Sequence, residues 1–356
     1  MAASSKRWLI VLLVLAFGLP LLQPVMPDVV SSYRLFLVST MIIAAIAVLG
    51  LNLLTGFNGQ ISLGHGAFYA VGAYTAAILM DQGDWPYYAT LPVAAAVCFV
   101  VGYLFGQPAL KLEGHYLALA TFALALAVPQ ILKYKWLEGL TGGVQGIVLS
   151  KPEVPFGLPI NEDQWLYYYC LIVMVVLNWA AYNLIHSRSG RAMMAIRDYP
   201  IAADTMGINL RLYKTVTFGI SAAFTGIAGA LSASAIAFVA PDSFSLFLSI
   251  LFLVGLVVGG IGSLAGSVIG GIFYVLVFNS AQAISTYIKN DLGLPFDLSA
   301  YTVFGVLLIA LMFVMPTGIV GAAHSIYRSL RASKAPAPSE RPAVAASKPA
   351  ASRQGH

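Results

Sequence analysis

The chain has 356 residues, of which 59% are hydrophobic and 9% charged, and its mean hydropathy is +0.84. A soluble domain carries about 25% charged residues, so most of this chain does not face water and a soluble globular fold is excluded. The formal net charge of +5 suggests nucleic acid only until its distribution is followed along the chain.

Apolar runs long enough to span hydrocarbon, which takes roughly 20 residues per helix, recur every few dozen positions. About ten are expected: 8–22, 35–54, 63–80, 87–106, 115–132, 165–185, 215–238, 246–260, 265–284 and 300–315. The first follows Lys6 and Arg7 but lacks a small-x-small cleavage site, and Pro20 and Pro24 break its end. It reads as an uncleaved span rather than a signal peptide.

The expected fold class is therefore all-α, a polytopic membrane protein. Placing the N-terminus in the cytoplasm and alternating puts Lys6, Arg7, Lys111, Arg188, Arg191, Arg197, Arg211, Lys214 and the C-terminal basic residues inside. Only Arg34, Lys133, Lys135, Lys151 and Lys289 fall outside. This is the positive-inside bias, and it predicts an even number of spans with both termini cytoplasmic. Residues 1–331 then form one transmembrane domain. Residues 332–356, rich in Ala, Pro, Ser and basic side chains, form a disordered tail that cannot bury a core.

Three segments break the apolar pattern. Between the second and third spans lie Gly56, Asn58, Gly59, Gln60, Gly64 and His65, with Asn52 just before them. Polar amides beside glycines at membrane depth are costly unless they line a cavity or pair with protein. This stretch is either a broken helix lining a translocation path or a tight turn. A second glycine-rich break, at 260–264, is uncharged like the first, so each is a loop or a re-entrant bend. Gly66-Ala-Phe-Tyr69 and Gly270-Gly-Ile-Phe-Tyr274 follow these two breaks and hint at an internal duplication. The third segment is the largest cytoplasmic loop, 186–214. Its residues 191–198 suit a short helix, Pro200 the first turn of a second, and Gly207 its end. Such a pair suits a groove on another protein or the lipid headgroups. On the outer side, the long loop 133–164 has room for a small ledge. Glycines four residues apart, as in Gly102/Gly106, Gly255/Gly259 and Gly262/Gly266/Gly270, favour close helix crossings.

The chemistry-bearing motifs of enzymes are missing. Gly260-Ile-Gly262-Ser-Leu-Ala265 matches the loose GxGxxA pattern, but it sits in an apolar setting without the acid that would hold a ribose. There is no GxxxxGK[ST] phosphate loop, HExxH or GxSxG. His65, His115, His186 and His324 are scattered, and Cys98 and Cys170 sit in apolar runs, so no metal site is expected. No Asp, Glu, Lys or Arg falls inside an expected span, so the titratable relays of proton-coupled carriers are absent. Na⁺ coupling through broken helices remains the alternative. Otherwise the energy for transport comes from outside the chain.

Four blocks, 51–74, Gly114-His-Tyr-Leu-Ala-Leu-Ala-Thr121, 191–229 and Val258-Gly-Gly-Ile-Gly-Ser-Leu-Ala-Gly-Ser267, resemble the permease subunits of branched-chain amino acid ABC importers. The likeness is to the longer of their two paralogous permeases and spreads from about residue 40 to 320. The resemblance implies several partners: a second permease, a pair of cytoplasmic ATPases and a periplasmic solute-binding protein. It implies a bacterial inner-membrane location, contact with lipid, no role in binding nucleic acid, and no catalysis or cofactor of the chain's own, ATP being bound by the partners. It also implies that the cytoplasmic loop carries a coupling helix of the pattern Glu-Ala-Ala-x-x-x-Gly, here Ile201, Ala202, Ala203 and Gly207, with Ile201 in place of the Glu. Arg191, Arg197, Asp198, Ala202, Ala203 and Gly207 are the residues expected to meet an ATPase. Amino-acid members carry an acid and a base just after the Leu-Ala-x-x-Thr block. Residues 122–130 here have no charge, which leaves the solute open among branched-chain and other amino acids, urea and small aromatic acids.

Overall fold

The computed structural model describes residues 31–109, 115–152, 160–291 and 299–314, with a few single positions between and beyond them. The expected first span and the C-terminal tail lie outside the described residues. Twelve helices are followed below, numbered in chain order. They are α1 Ser32–Asn52, α2 His65–Gly83, α3 Tyr87–Ala109, α4 His115–Leu132, α5 Glu138–Thr141 and α6 Glu162–His186. Then come α7 Arg188–Asp198, α8 Pro200–Thr205, α9 Leu210–Ile236, α10 Leu246–Gly259, α11 Leu264–Asp291 and α12 Ala300–Val314.

Among the described residues, five helical stretches are long and apolar enough to cross a membrane: Ser32–Phe57, Tyr87–Pro108, Glu162–His186, Leu210–Ile236 and Leu264–Tyr287. A sixth is reached if Tyr116–Leu132 and Lys135–Thr141, bent by 60°, count as one. Helices α10 and α12 are shorter apolar helices. Helix α2 falls short because its glycines, tyrosines, His65 and Asp81 dilute its apolar content. It is nevertheless buried along one half, from His65 to Ala77, so neighbouring helices rather than lipid cover its polar groups.

Burial sorts the helices into centre and rim. In the apolar windows of α1 and α9, 83% and 78% of residues are buried, against 28% in α3 and in α6. Helix α9 packs along α1, α2 and α3, and small residues permit the approach. A Cβ on Gly72 of α2 would lie 2.1 Å from the Gly226 carbonyl oxygen of α9. The expected glycine crossings are present too. A Cβ on Gly259 or Gly270 would meet the facing backbone of α11 or α10 at 2.0 Å. In lipid, where apolar burial gives helices little reason to associate, such contact is a main source of cohesion. Gly72→Val should therefore cost roughly 2 kcal/mol or more through overpacking, read as a lower unfolding temperature in detergent.

Local chemistry sets the ends. Ser31 caps α1, its hydroxyl accepting from Arg34 N at 3.4 Å. Asn209 caps α9 by accepting from Leu212 N at 3.0 Å. Strand β1 (Ile147–Val148) pairs antiparallel with β2 (Phe238–Val239), with Ile147 opposite Val239. This ribbon ties the long loop after α4 to the end of α9. The two Phe-Tyr stretches that hinted at duplication occupy comparable places. Each follows a glycine-rich break, and Tyr69 and Tyr274 flank the same ring, Phe252, at centroid distances of 5.4 and 6.0 Å.

Candidate functional site

Helix α1 does not stop at Asn52. It widens into a π-helical turn, Leu53–Phe57, before the chain breaks at 58–64. π-Turns inside helices often mark functional positions. Asn52, fully buried in the last turn of α1, reaches the other break, between α10 and α11. Its Nδ2 donates to the Ser263 carbonyl oxygen and to Ser267 Oγ, both at 2.8 Å. Its Oδ1 accepts from Gly262 N at 2.9 Å. One amide thus pins the end of α1, just ahead of the first break, to the second break. Gly56 must be glycine here, since a Cβ would sit 1.9 Å from Asn52 Oδ1 and 2.6 Å from Gly262 N.

Past the turn, Thr55 Oγ1 donates to the Gln60 carbonyl oxygen at 2.9 Å, and Gln60 Nε2 donates to the Lys214 carbonyl oxygen at 3.2 Å. Gln60 Oε1 and both amide atoms of Asn58 are buried without a partner. A buried unpaired amide is costly, about 1–3 kcal/mol, so Asn58 is a strain on this state of the chain. Asn58→Leu should leave thermal stability unchanged or higher while lowering solute uptake, if the amide is used when the path opens. Paired unfolding and uptake measurements check this.

His65 opens α2 and is deeply buried. Its Nε2 lies 2.7 Å from Ser221 Oγ, and Ser221 Oγ donates to the Gly50 carbonyl oxygen at 2.6 Å. The serine's single proton is thereby spent, so Nε2–H must donate to Ser221. Nδ1 then accepts from Ser62 Oγ at 3.0 Å. A neutral ring with both nitrogens satisfied staples α2 to α9 and α1. The block ending at Thr121 meets the same place: Leu63 N donates to Thr121 Oγ1 at 2.9 Å, and a Cβ on Gly64 would lie 2.7 Å from the Thr121 carbonyl oxygen. Gly66 N donates to Ser249 Oγ of α10 at 2.9 Å. Gly56, Asn58, Gly59, Gln60, Gly64 and His65 therefore lie in one polar knot where α1, α2, α4, α9, α10 and α11 converge.

The loop 186–214 folds into α7 and α8, with Pro200 in the first turn of α8. Gly207 follows with φ of +82°, a conformation that favours glycine. Its residues divide by direction. Arg191 Nη1 donates to the His186 carbonyl oxygen at 3.1 Å, a cation at a helix C-terminus where it is favoured. Arg197 turns towards the breaks: Nη1 donates to the Gly56 carbonyl oxygen at 2.8 Å, and Nε donates to Asp198 Oδ1 at 2.8 Å. Ala203, expected to face an ATPase, is instead 4% exposed and packs inward, because α8 folds back on the chain. The outward face of the pair carries Tyr199, Ile201 and Met206, the last two 82% and 84% exposed, with Ala202 and Gly207 also exposed.

Sequence reasoning did not single out Asn52, Ser221, Ser267 or Thr121 as site residues. The available signal was a lone carboxamide near the end of an apolar run. Among the described residues, no group of three His, Cys, Asp or Glu side chains stands close enough to hold a metal.

A family model described as "Branched-chain amino acid transport system / permease component" matches residues 33–316. The "High-affinity branched-chain amino acid transport system permease protein LivM" of Escherichia coli K12 is 31% identical over 340 residues, covering 89% of this chain and 75% of the relative. A "Probable branched-chain amino acid transport permease protein LivM" of Methanocaldococcus jannaschii is 28% identical over 238 residues, covering 64% and 66%. The paralogous LivH of Salmonella typhimurium is 24% identical over 311 residues, covering 78% and 91%. No solved structure matches the chain. The match across most of the length shows that this multi-pass membrane chain belongs to the branched-chain amino acid transport permease family, of the LivM type.

Proposed function

We propose that the chain is the permease subunit of an ATP-binding-cassette importer in a bacterial inner membrane, carrying branched-chain or related amino acids. It forms the translocation path with a second permease, as the likeness to both LivM and LivH relatives suggests. A periplasmic binding protein delivers the solute, and a pair of cytoplasmic ATPases binds ATP and drives the cycle. The chain contributes about ten spans, with both termini cytoplasmic and its excess of basic residues inside. Helices α2, α10 and α12 are counted among those spans. At 1.5 Å per residue, the 14 residues of α10 reach about 21 Å. That is short of the roughly 30 Å hydrocarbon core, so α10 and the break after it act as one interrupted span.

The observation that carries this reading is the cytoplasmic helix pair. Helix α8 presents Ile201, with the flanking residues Tyr199 and Met206, to the outside with no cover from the other described residues. Apolar side chains on a short, glycine-terminated helix suit an apolar groove on a partner. Arg197, on the other side of the pair, reaches the glycine-rich breaks. A device facing a partner on one side and the membrane knot on the other is what an externally driven permease requires.

The test is a mild-detergent purification of the tagged chain from its native host. Recovery of a second permease and ATPases supports the reading. Recovery of the chain alone, stable and homogeneous, contradicts it.

A further inference from the structure

We infer that Arg197 is the strut through which motion of the cytoplasmic helix pair reaches both glycine-rich breaks, acting as a positioning residue rather than as a contact for the ATPase. This rests on the importer reading and deepens it.

The argument begins with the π-turn. A π-helical turn disturbs the regular carbonyl ladder, and the Gly56 carbonyl oxygen in it accepts from Arg197 Nη1 at 2.8 Å, across 141 residues of sequence. The bond is charge-assisted and therefore stronger than a neutral one. Asp198 holds Nε at 2.8 Å, which fixes the plane of the guanidinium. The backbone of the first break lies flat on the same residue. A Cβ on Gly59, whose φ is +74°, would sit 2.8 Å from Arg197 Cγ and 3.3 Å from its Cα. The second break is in reach as well, for a Cβ on Gly262 would lie 3.5 Å from Arg197 Nη1 and 3.5 Å from the Gly56 carbonyl oxygen. Arg197 thus stands where α7, the π-turn and the break between α10 and α11 meet, and Asn52 bonds the end of α1 to that same break through Gly262 and Ser263.

Helix α7 can act as a lever because its other face is seated. Met193 and Ile196 are buried in the chain, and Ala203 of α8 tucks in behind, its N–H donating to the Tyr199 carbonyl oxygen at 3.0 Å. A displacement imposed on the exposed face of α8 therefore moves α7 as a body. A rigid element with two arrangements is a physical route for coupling. Arg197 carries that movement to the Gly56 carbonyl, and the breaks shift together.

The test uses the complete complex purified with its partners and placed in nanodiscs and proteoliposomes. Three variants are compared with wild type: Arg197→Gln, Arg197→Lys and, as a control on the same helix, Arg188→Gln. Subunit recovery, ATP hydrolysis with solute-loaded binding protein, and uptake are each measured. Arg197→Gln should assemble and hydrolyse ATP, while ATP consumed per solute rises about tenfold, within the usual range of coupling factors. Arg197→Lys should recover part of the coupling, since an ammonium can still donate to the Gly56 carbonyl. Arg188→Gln should keep the wild-type ratio. If Arg197→Gln does not assemble, Asp198→Ala frees Nε while leaving the bond to Gly56 and should raise the ratio by a smaller factor. A wild-type ratio in Arg197→Gln, or in Asp198→Ala where that variant is needed, overturns the strut and leaves the importer reading standing. A wild-type chain that brings down no ATPase overturns the importer reading and the strut with it.

Discussion

Asn52→Leu should loosen the membrane knot more than any other single polar substitution in this chain. The leucine fits an apolar span by hydropathy, yet it removes three interhelical hydrogen bonds. Polar bonds between membrane helices average about 0.6 kcal/mol each, so their loss alone costs roughly 2 kcal/mol. Gly262 N–H is then left part-buried without its partner, which adds about 1 kcal/mol or more, while the Ser263 carbonyl keeps Ser267 N–H as a donor. The expected total is roughly 3–4 kcal/mol. The chain supplies its own reporter: Cys98 and Cys170 are free and buried, so a thiol-reactive dye follows unfolding on heating. A midpoint equal to wild type would mean that the breaks are not held by Asn52.

Ile201→Asp should have the opposite profile. Ile201 is mostly exposed, so the chain's own stability should change by less than about 0.5 kcal/mol. A carboxylate pushed into an apolar groove without a partner costs several kcal/mol, so recovery of the ATPases should fall by tenfold or more, each 1.4 kcal/mol being a factor of ten. Ala203→Asp supplies the contrast. Ala203 packs inward, so that substitution should lower the unfolding midpoint of the chain itself. If Ile201→Asp and Ala203→Asp behave alike in both measurements, α8 is not the docking element.

The helices and the α7–α8 pair were legible in the sequence because their signals are local. Apolar runs set the positions of α1, α4, α10 and α12 to within a few residues. Pro200 and Gly207 bounded α8 because a missing N–H and a positive φ have few other uses. Charge did the same for α9, whose apolar part begins after Arg211 and Lys214. The knot itself was only half legible. Amides beside glycines announced an unusual place, but nothing local says that Asn52 bonds a backbone N–H 210 residues away. The direction of Arg197 was hidden for the same reason, since its acceptor is a carbonyl in another helix. The inward side of Ala203 was hidden because α8, six residues long, is too short for its pattern to say which side faces in.

Uptake of branched-chain amino acids into proteoliposomes, with the binding protein outside and the purified complex in the membrane, separates an ATP-driven permease from a self-sufficient carrier. The account predicts uptake that requires ATP at the cytoplasmic face together with all the partners, and none when the chain alone is given a Na⁺ or proton gradient. Gradient-driven uptake by the chain alone, without ATP, would contradict it and turn the two glycine-rich breaks into candidate ion sites.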